Sequence, residues 1–209
     1  MHRSRGWDRG IGSDGRGRSL GGVTARVNVL HTGYADDRVA STVTLIRDGE
    51  AVIVVDPGMV ADRSSILGPL VAAGVEPEDV TDVVISHHHP DHTVNIALFP
   101  NARVHDFMAT YEGDVWTDHD EGDFAVSESV RLVATPGHTD EDVTTVVETA
   151  DGVVVLTHLW WSAEGPAEDP FATDRDVLRT SRQSVLALKP VTVIPGHGEP
   201  FSPDDSTPV

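Results

Sequence analysis

Asp82-Val83-Val84-Ile85-Ser86-His87-His88-His89-Pro90-Asp91-His92-Thr93 is the stretch that decides the fold. A β-branched apolar run of strand length ends at Ser86 and opens straight into a loop of histidines and one aspartate. In an extended loop alternate side chains share a face, so His87 and His89 point one way and can grip one metal ion. Asp91 and His92 lie past the bend at Pro90 and can reach a second ion. His88, between the first pair, points away and reads as a supporting or core residue.

Two later turns repeat the pattern. Thr135-Pro136-Gly137-His138-Thr139 and Ile194-Pro195-Gly196-His197-Gly198 each follow an apolar β-branched run and set an imidazole just past a Pro-Gly turn. Imidazoles and a carboxylate converging from three loops form the donor set that zinc or iron takes when thiolate is absent. Thiolate is absent here, because the 209 residues include no cysteine. The same fact excludes a disulfide framework and a cysteine nucleophile. His31, His105 and His119 sit in no motif and read as ordinary structural or surface histidines. No serine nucleophile elbow and no phosphate-cradling glycine loop is present.

Around these loops the chain is β-rich with helical interruptions. Residues 24–31, 39–47 and 51–55 read as strands, with Asp48-Gly49 as a hairpin turn. A helix over 62–73 stops at Gly74, and a second covers 173–188 with Thr173 or Asp174 as its cap. Short strands are expected at 102–105, 123–126, 130–134 and 191–194, and a hairpin at 143–148 and 153–157 turning at Asp151-Gly152. Strand runs followed by a helix occur twice, which predicts two helix-backed sheets around one core. Residues 1–22 differ: seven of the 19 glycines, five arginines and few aliphatics predict a disordered tail, leaving 23–209 as the domain.

The net charge of −19 divides into +3 on residues 1–22 and −22 on the rest. Asp outnumbers Glu 23 to 11, and Lys189 is the only lysine beside 14 arginines. Such a surface fits a salt-accumulating microbe, where salt screens the repulsion, or a GC-rich coding bias toward arginine. Acidity of this size disfavours a nucleic-acid partner, whose phosphates need cationic surface, although a basic arm at 1–22 is the one place that contact is open. Apolar runs such as Val52–Val55 are far below the ~18 residues of a membrane-spanning helix. A cytoplasmic protein acting on a small molecule is the expectation, with oligomeric state open.

His87-x-His89-x-Asp91-His92 with later His138 and His197 resembles the signature of the metallo-β-lactamase superfamily. Val54-Val55-Asp56-Pro57-Gly58 is similar to that superfamily's early strand-end element, and the likeness runs over residues 23–201. Within the superfamily it resembles most the short, single-domain metallo-β-lactamase-domain-containing branch, through Gly33-Tyr34-Ala35, Val75–Thr81, Leu98-Phe99-Pro100 and Pro195-Gly196-His197-Gly198. The resemblance implies an α/β fold: a four-layer αβ/βα sandwich of two mixed β-sheets flanked by helices, with two metals at one edge. It implies that His87, His89 and His138 hold the first metal, and that Asp91, His92 and His197 hold the second. Asp56 is expected to orient one imidazole.

The sequence departs from that pattern once. Where the family places a bridging aspartate, Leu156-Thr157-His158-Leu159 offers His158. An imidazole nitrogen binds one metal and cannot bridge two, and it removes a negative charge. Two metals with His158 as an extra ligand, a single metal, or an altered metal preference are the outcomes. The expected cofactor is Zn²⁺, one or two per chain, with Fe or Mn as alternatives. A metal ion with an open position acidifies bound water toward ~7 and supplies hydroxide at neutral pH, with Asp91 as the catalytic carboxylate. A metallohydrolase of a small ester, thioester or lactone is the leading reading. A phosphodiesterase or ribonuclease, a mononuclear iron oxygenase of the persulfide dioxygenase type, and a non-catalytic metal-binding relative are the alternatives. Of Trp160 and Trp161, one is expected in the core and one at the pocket wall, and Glu164–Asp169 reads as a solvated acidic loop.

Overall fold

The computed structural model describes residues 24–119 and 123–209. The tail expected at 1–22 lies outside them. Fourteen strands and three α-helices, α1 (Ser64–Ala72), the single-turn α2 (Pro90–Thr93) and α3 (Arg175–Ala187), build the described part. One sheet has seven strands in the order β1 (Arg26–His31), β4 (Val43–Asp48), β5 (Ala51–Val55), β6 (Asp82–Val84), β7 (Arg103–His105), β8 (Ala109–Glu112) and β9 (Val115–Asp118). β5, β6 and β7 run parallel and the other neighbours antiparallel. The second sheet orders β10 (Phe124–Ala125), β11 (Val130–Ala134), β12 (Val143–Thr149), β13 (Gly152–Thr157) and β14 (Thr192–Pro195). Only its β13–β14 pair is parallel.

Both faces of the central strands are apolar, and the period-2 alternation sorts them into layers. Ile46, Ile53, Val55 and Val84 face Leu132, Val147, Leu156 and Ile194 in the core between the sheets. The intervening Leu45, Val54 and Val83 pack outward on Ile66 and Leu70 of α1 (Ser64–Ala72). Val146, Val155 and Val193 pack outward on Leu178 and Val185 of α3 (Arg175–Ala187). Three apolar seams between helix, sheet, sheet and helix give the four-layer αβ/βα sandwich, as expected. Asp174 caps α3 by accepting from the backbone N–H groups of Asp176 and Val177, and Gly74, at φ +75°, ends α1. No helix among the described residues is long and apolar enough to cross a membrane.

The expectation of one strand over 39–47 is corrected. Val39–Ala40 (β3) leaves the sheet to pair with Tyr34–Ala35 (β2) as a separate ribbon, and the sheet strand begins at Val43. The break lies at Ser41-Thr42, whose polar groups bond to loops rather than to a ladder. The Ser41 hydroxyl donates to the Asp56 carbonyl at 2.8 Å, and the Thr42 N–H donates to the Gly196 carbonyl at 2.8 Å. The β8–β9 hairpin is an addition to the expected strands. It turns at Gly113-Asp114, with Gly113 at φ +61° supplying the left-handed first position of a two-residue turn.

Candidate metal centre

The strands β4, β5, β6, β11, β13 and β14 deliver their loops to one edge of the sandwich. There the Asp56, His87–His92, His138, His158 and His197 side chains meet. Two glycines make the approach possible. A Cβ on Gly58 would lie 1.4 Å from the Asp91 carbonyl oxygen, and one on Gly196 would lie 2.4 Å from the His158 ring. Asp56 itself takes a left-handed backbone at φ 53°, which turns its carboxylate back toward β6. Its Oδ1 accepts the Ser86 N–H at 2.7 Å and its Oδ2 sits 2.9 Å from His92 Nδ1.

His87, His89 and His138 converge. His89 Nδ1 lies 3.0 Å from His87 Nε2 and 3.1 Å from His138 Nε2. Nitrogen ligands of a tetrahedral zinc at ~2.0–2.1 Å stand about 3.3 Å apart, so this spacing fits one ion. Asp91, His92 and His197 form a second group: Asp91 Oδ2 is 3.4 Å from His92 Nε2 and 3.5 Å from His197 Nε2. Both groups place their donor atoms close enough together to hold a metal. His158 stands between them, buried, with its ring centroid 4.1 Å from that of His138 and 4.8 Å from those of His92 and His197. Its Nε2 is 2.9 Å from His197 Nε2, whereas its Nδ1 has no partner, and neither has the buried Nε2 of His92.

The rear nitrogens explain which front nitrogens are free to ligate. His197 Nδ1 must donate to the Ala40 carbonyl, at 2.9 Å, so its Nε2 carries the lone pair. His92 Nδ1 on Asp56 and His138 Nδ1 on Asp169 Oδ2, at 2.8 Å, fix the same tautomer. His87 Nδ1 is held by the Ser86 hydroxyl at 3.1 Å. Ring nitrogens thus converge, with the buried His158 Nδ1 and His92 Nε2 lacking hydrogen bonds, and once His92 gives up its proton this donor set fits a divalent cation bound by imidazole and carboxylate.

Charges follow from burial and neighbours. Burial, then the nearby His92 charge, keeps His87 and His158 well below the usual imidazole range. Burial likewise lowers His89 and His197. Burial also pulls His92 down, but Asp56 and Asp91 outweigh it and hold it at about 9. Burial opposes ionisation of Asp91, yet its contact with His92 brings it to about 2. Burial raises Asp142, 3.9 Å from His87 Nδ1, to about 6 against the two hydrogen bonds from Thr139.

The reading of Glu164–Asp169 as a solvated loop is corrected at its last residue. Asp169 is buried, accepts the Trp161 indole N–H at 2.9 Å and orients His138. Arg182 of α3, itself buried, donates to the carbonyls of Leu159, Pro166 and Ala167 and so ties down the loop that carries Asp169. No spacing signal marks Asp169 in the sequence. Trp160 is fully buried, and Trp161 walls a cavity over His89, Asp91, His138 and His197. His88 points away from the other imidazoles to Glu141 and Asp106. His105 is buried on Asp82, and His119 bonds Thr110.

Comparison with known proteins agrees with this geometry. The family model for the metallo-β-lactamase superfamily matches residues 36–197. Metallo-β-lactamase domain-containing protein 1 of Xenopus laevis is 34% identical over 194 residues, which cover 84% of this chain and 80% of the frog protein. The human protein of the same name is 38% identical over 164 residues, covering 71% of this chain and 59% of its own. Among solved structures, Bacillus thuringiensis AiiA with N-decanoyl-L-homoserine at its active site superposes with a TM-score of 0.62 at 21% identity, covering 83% of this chain and 92% of that one. By sequence and by fold, the chain belongs to the metallo-β-lactamase superfamily.

Proposed function

We propose that this protein is a zinc-dependent hydrolase of small, acyl-bearing esters, thioesters or lactones. The observation that carries the reading is a cavity of about 390 Å³ whose floor is His89, Asp91, His138 and His197 and whose walls, Asp36 apart, are apolar, from Val39, Pro90, Trp161 and Phe171. The mostly apolar walls suit an acyl chain, and among the described residues no lysine or arginine lines this cavity, which disfavours a phosphodiester. AiiA, with its acyl-homoserine ligand, offers a parallel in fold.

His87, His89 and His138 would hold one metal, and Asp91, His92 and His197 the other, with His158 as a further donor between them. Bound there, a divalent cation supplies Lewis acidity toward water and the substrate carbonyl. Asp91, ionised at neutral pH, would accept a proton from the attacking water and hand that same proton to the leaving oxygen, which a carboxyl of such low pKa gives up readily. Trp161 and Phe171 offer apolar surface beside the reacting carbonyl.

Elemental analysis of the purified protein together with a hydrolysis panel tests the reading. Zinc in the protein, and turnover of 4-nitrophenyl butyrate, a short-chain thioester or an acyl lactone well above that of bis(4-nitrophenyl) phosphate, is the expected result. A single iron per chain with oxygen uptake on a persulfide, or preference for the phosphodiester, would overturn it.

A further inference from the structure

Beside the cavity over the metal-binding residues lies a second, open one of about 530 Å³. Val39 lines both, so the β2–β3 ribbon is the partition between them. Among the described residues, the first cavity is lined by no arginine or lysine, but the second presents two arginines, Arg38 and Arg63. Resting on the hydrolase reading above, we propose that Arg38 and Arg63 form an anion subsite that takes a carboxylate of the substrate, on the part remote from the bond that is cleaved.

Exposed arginines are ordinarily just solvated, and three observations set these two apart. First, each is aimed by a neighbour through a hydrogen bond that leaves donors free. Arg38 donates one N–H to the Tyr34 hydroxyl at 2.9 Å, with its guanidinium carbon 5.4 Å from the centre of that ring. Arg63 donates through Nε to Asn95 Oδ1 at 2.8 Å, so its two terminal NH₂ groups keep the planar fork that suits a carboxylate.

Second, Arg63 is fixed relative to the metal-binding loop. Asn95 is buried and donates from Nδ2 to the Gly58 carbonyl at 2.6 Å, and the next residue, Met59, donates its N–H to the Asp91 carbonyl at 3.2 Å. The guanidinium is therefore carried on the same rigid backbone contact that positions Asp91.

Third, neither has a carboxylate partner among the described residues, in a chain with 34 acidic and 15 basic side chains. Among the described residues the arginines in ion pairs are Arg103, Arg131, Arg175 and Arg179, not these two. Among the described residues the one carboxylate lining the cavity is Asp37, leaving two cations against one anion there. A formal surplus of one positive charge matches a monoanionic carboxylate better than a phosphate dianion. In the surrounding negative field, two guanidinium groups lining one cavity form a local attractor for such a group.

Paired substrates test the subsite. kcat/KM is measured for mono(4-nitrophenyl) glutarate, which ends in a carboxylate, and for the neutral 4-nitrophenyl butyrate. Calorimetry on the same full-length protein compares binding of octanedioate with that of octanoate, which shares one carboxylate and lacks the second. The expected results are a preference for the doubly functional member of each pair of about tenfold, falling to near unity in Arg38→Gln/Arg63→Gln and shrinking in molar salt. Arg38→Lys/Arg63→Lys retains part of it, because charge survives without the fork. Equal preference in wild type and the Gln double variant would overturn the subsite even where neutral ester turnover stands. Absence of all turnover would overturn the hydrolase reading, and the calorimetric pair would then decide the subsite by itself.

Discussion

The two halves of the candidate metal centre are built on different electrostatic principles. His87, His89 and His138 are three imidazoles within 3.0–3.1 Å contacts, two of them kept from protonation by burial. Asp91, His92 and His197 are looser, at 3.4–3.5 Å, and a proton is held on His92 between Asp56 and Asp91. The first half is poised to receive a cation without displacing a proton from His87 or His89. The second already satisfies part of its negative charge with one. His158 sharpens the contrast, because it adds a neutral donor and no charge at the point where the halves meet.

His89→Ala should have the largest effect. His89 Nδ1 is the atom on which the other two imidazoles of the first half converge, and it faces the cavity. Loss of about a thousandfold or more in kcat/KM on the preferred ester is expected, with the tighter metal lost by elemental analysis. Retention of that metal would break the assignment of the first half.

Next come the carboxylates behind the imidazoles. Asp169→Asn should weaken the first half's metal by about 10- to 100-fold, and Asp56→Asn should weaken the second by a similar factor. Chelator competition on each variant separates them. If both substitutions affect the same metal, the division into two halves fails.

Much of this centre was legible in the sequence, and the reasons are physical. A strand running into His-x-His-x-Asp-His, and two Pro-Gly-His turns, signal ligands because strand ends in a sandwich must emerge at an edge. Gly58 and Gly196 belong to those motifs because backbone or ring passes where a Cβ would be. Both sheets showed in β-branched alternation, and the helices in their stops and caps. The ribbon β2–β3 did not, because Val39–Thr42 carries a strand's composition and leaves the sheet only through the bonds of Ser41 and Thr42 to distant loops. Asp169 was hidden for a similar reason. An aspartate in a run of acids acquires its role only when Arg182 and Trp161 fold the loop onto His138. The β8–β9 hairpin did carry a local signal, Gly113-Asp114 between strand-like runs.

His158→Asp is expected to raise the affinity of the second metal at least about tenfold, by adding a negative charge where the halves meet. Metals per chain at limiting free zinc should rise. The smaller side chain also leaves room at Gly196, whose missing Cβ serves the imidazole ring. Unchanged stoichiometry in this variant would mean that His158 is no obstacle to a second ion.

The smallest effect is also the most direct measure of the difference between the halves. His92 is held at about 9, so at neutral pH the second metal must displace its proton. Affinity for that metal should fall by just under tenfold for each unit of pH below about 9, whereas Asp91, at about 2, stays ionised throughout and adds no slope. The first half should be flatter near pH 7, because His87 and His89 are lowered and already neutral there. Without metal the sign reverses. A group whose folded pKa is raised stabilises the fold fully below its unfolded value near 6.5 and loses that contribution as pH rises through about 9. The melting temperature of the metal-free protein should therefore decline from pH 6.5 to 9 while zinc binding strengthens over the same interval. Asp56→Asn removes the charge that holds the proton on His92 and should flatten both trends together. Calorimetry of zinc binding in buffers of different ionisation enthalpy counts the protons released. About one per second zinc at pH 7.5 is expected, and none would erase the distinction between the two halves.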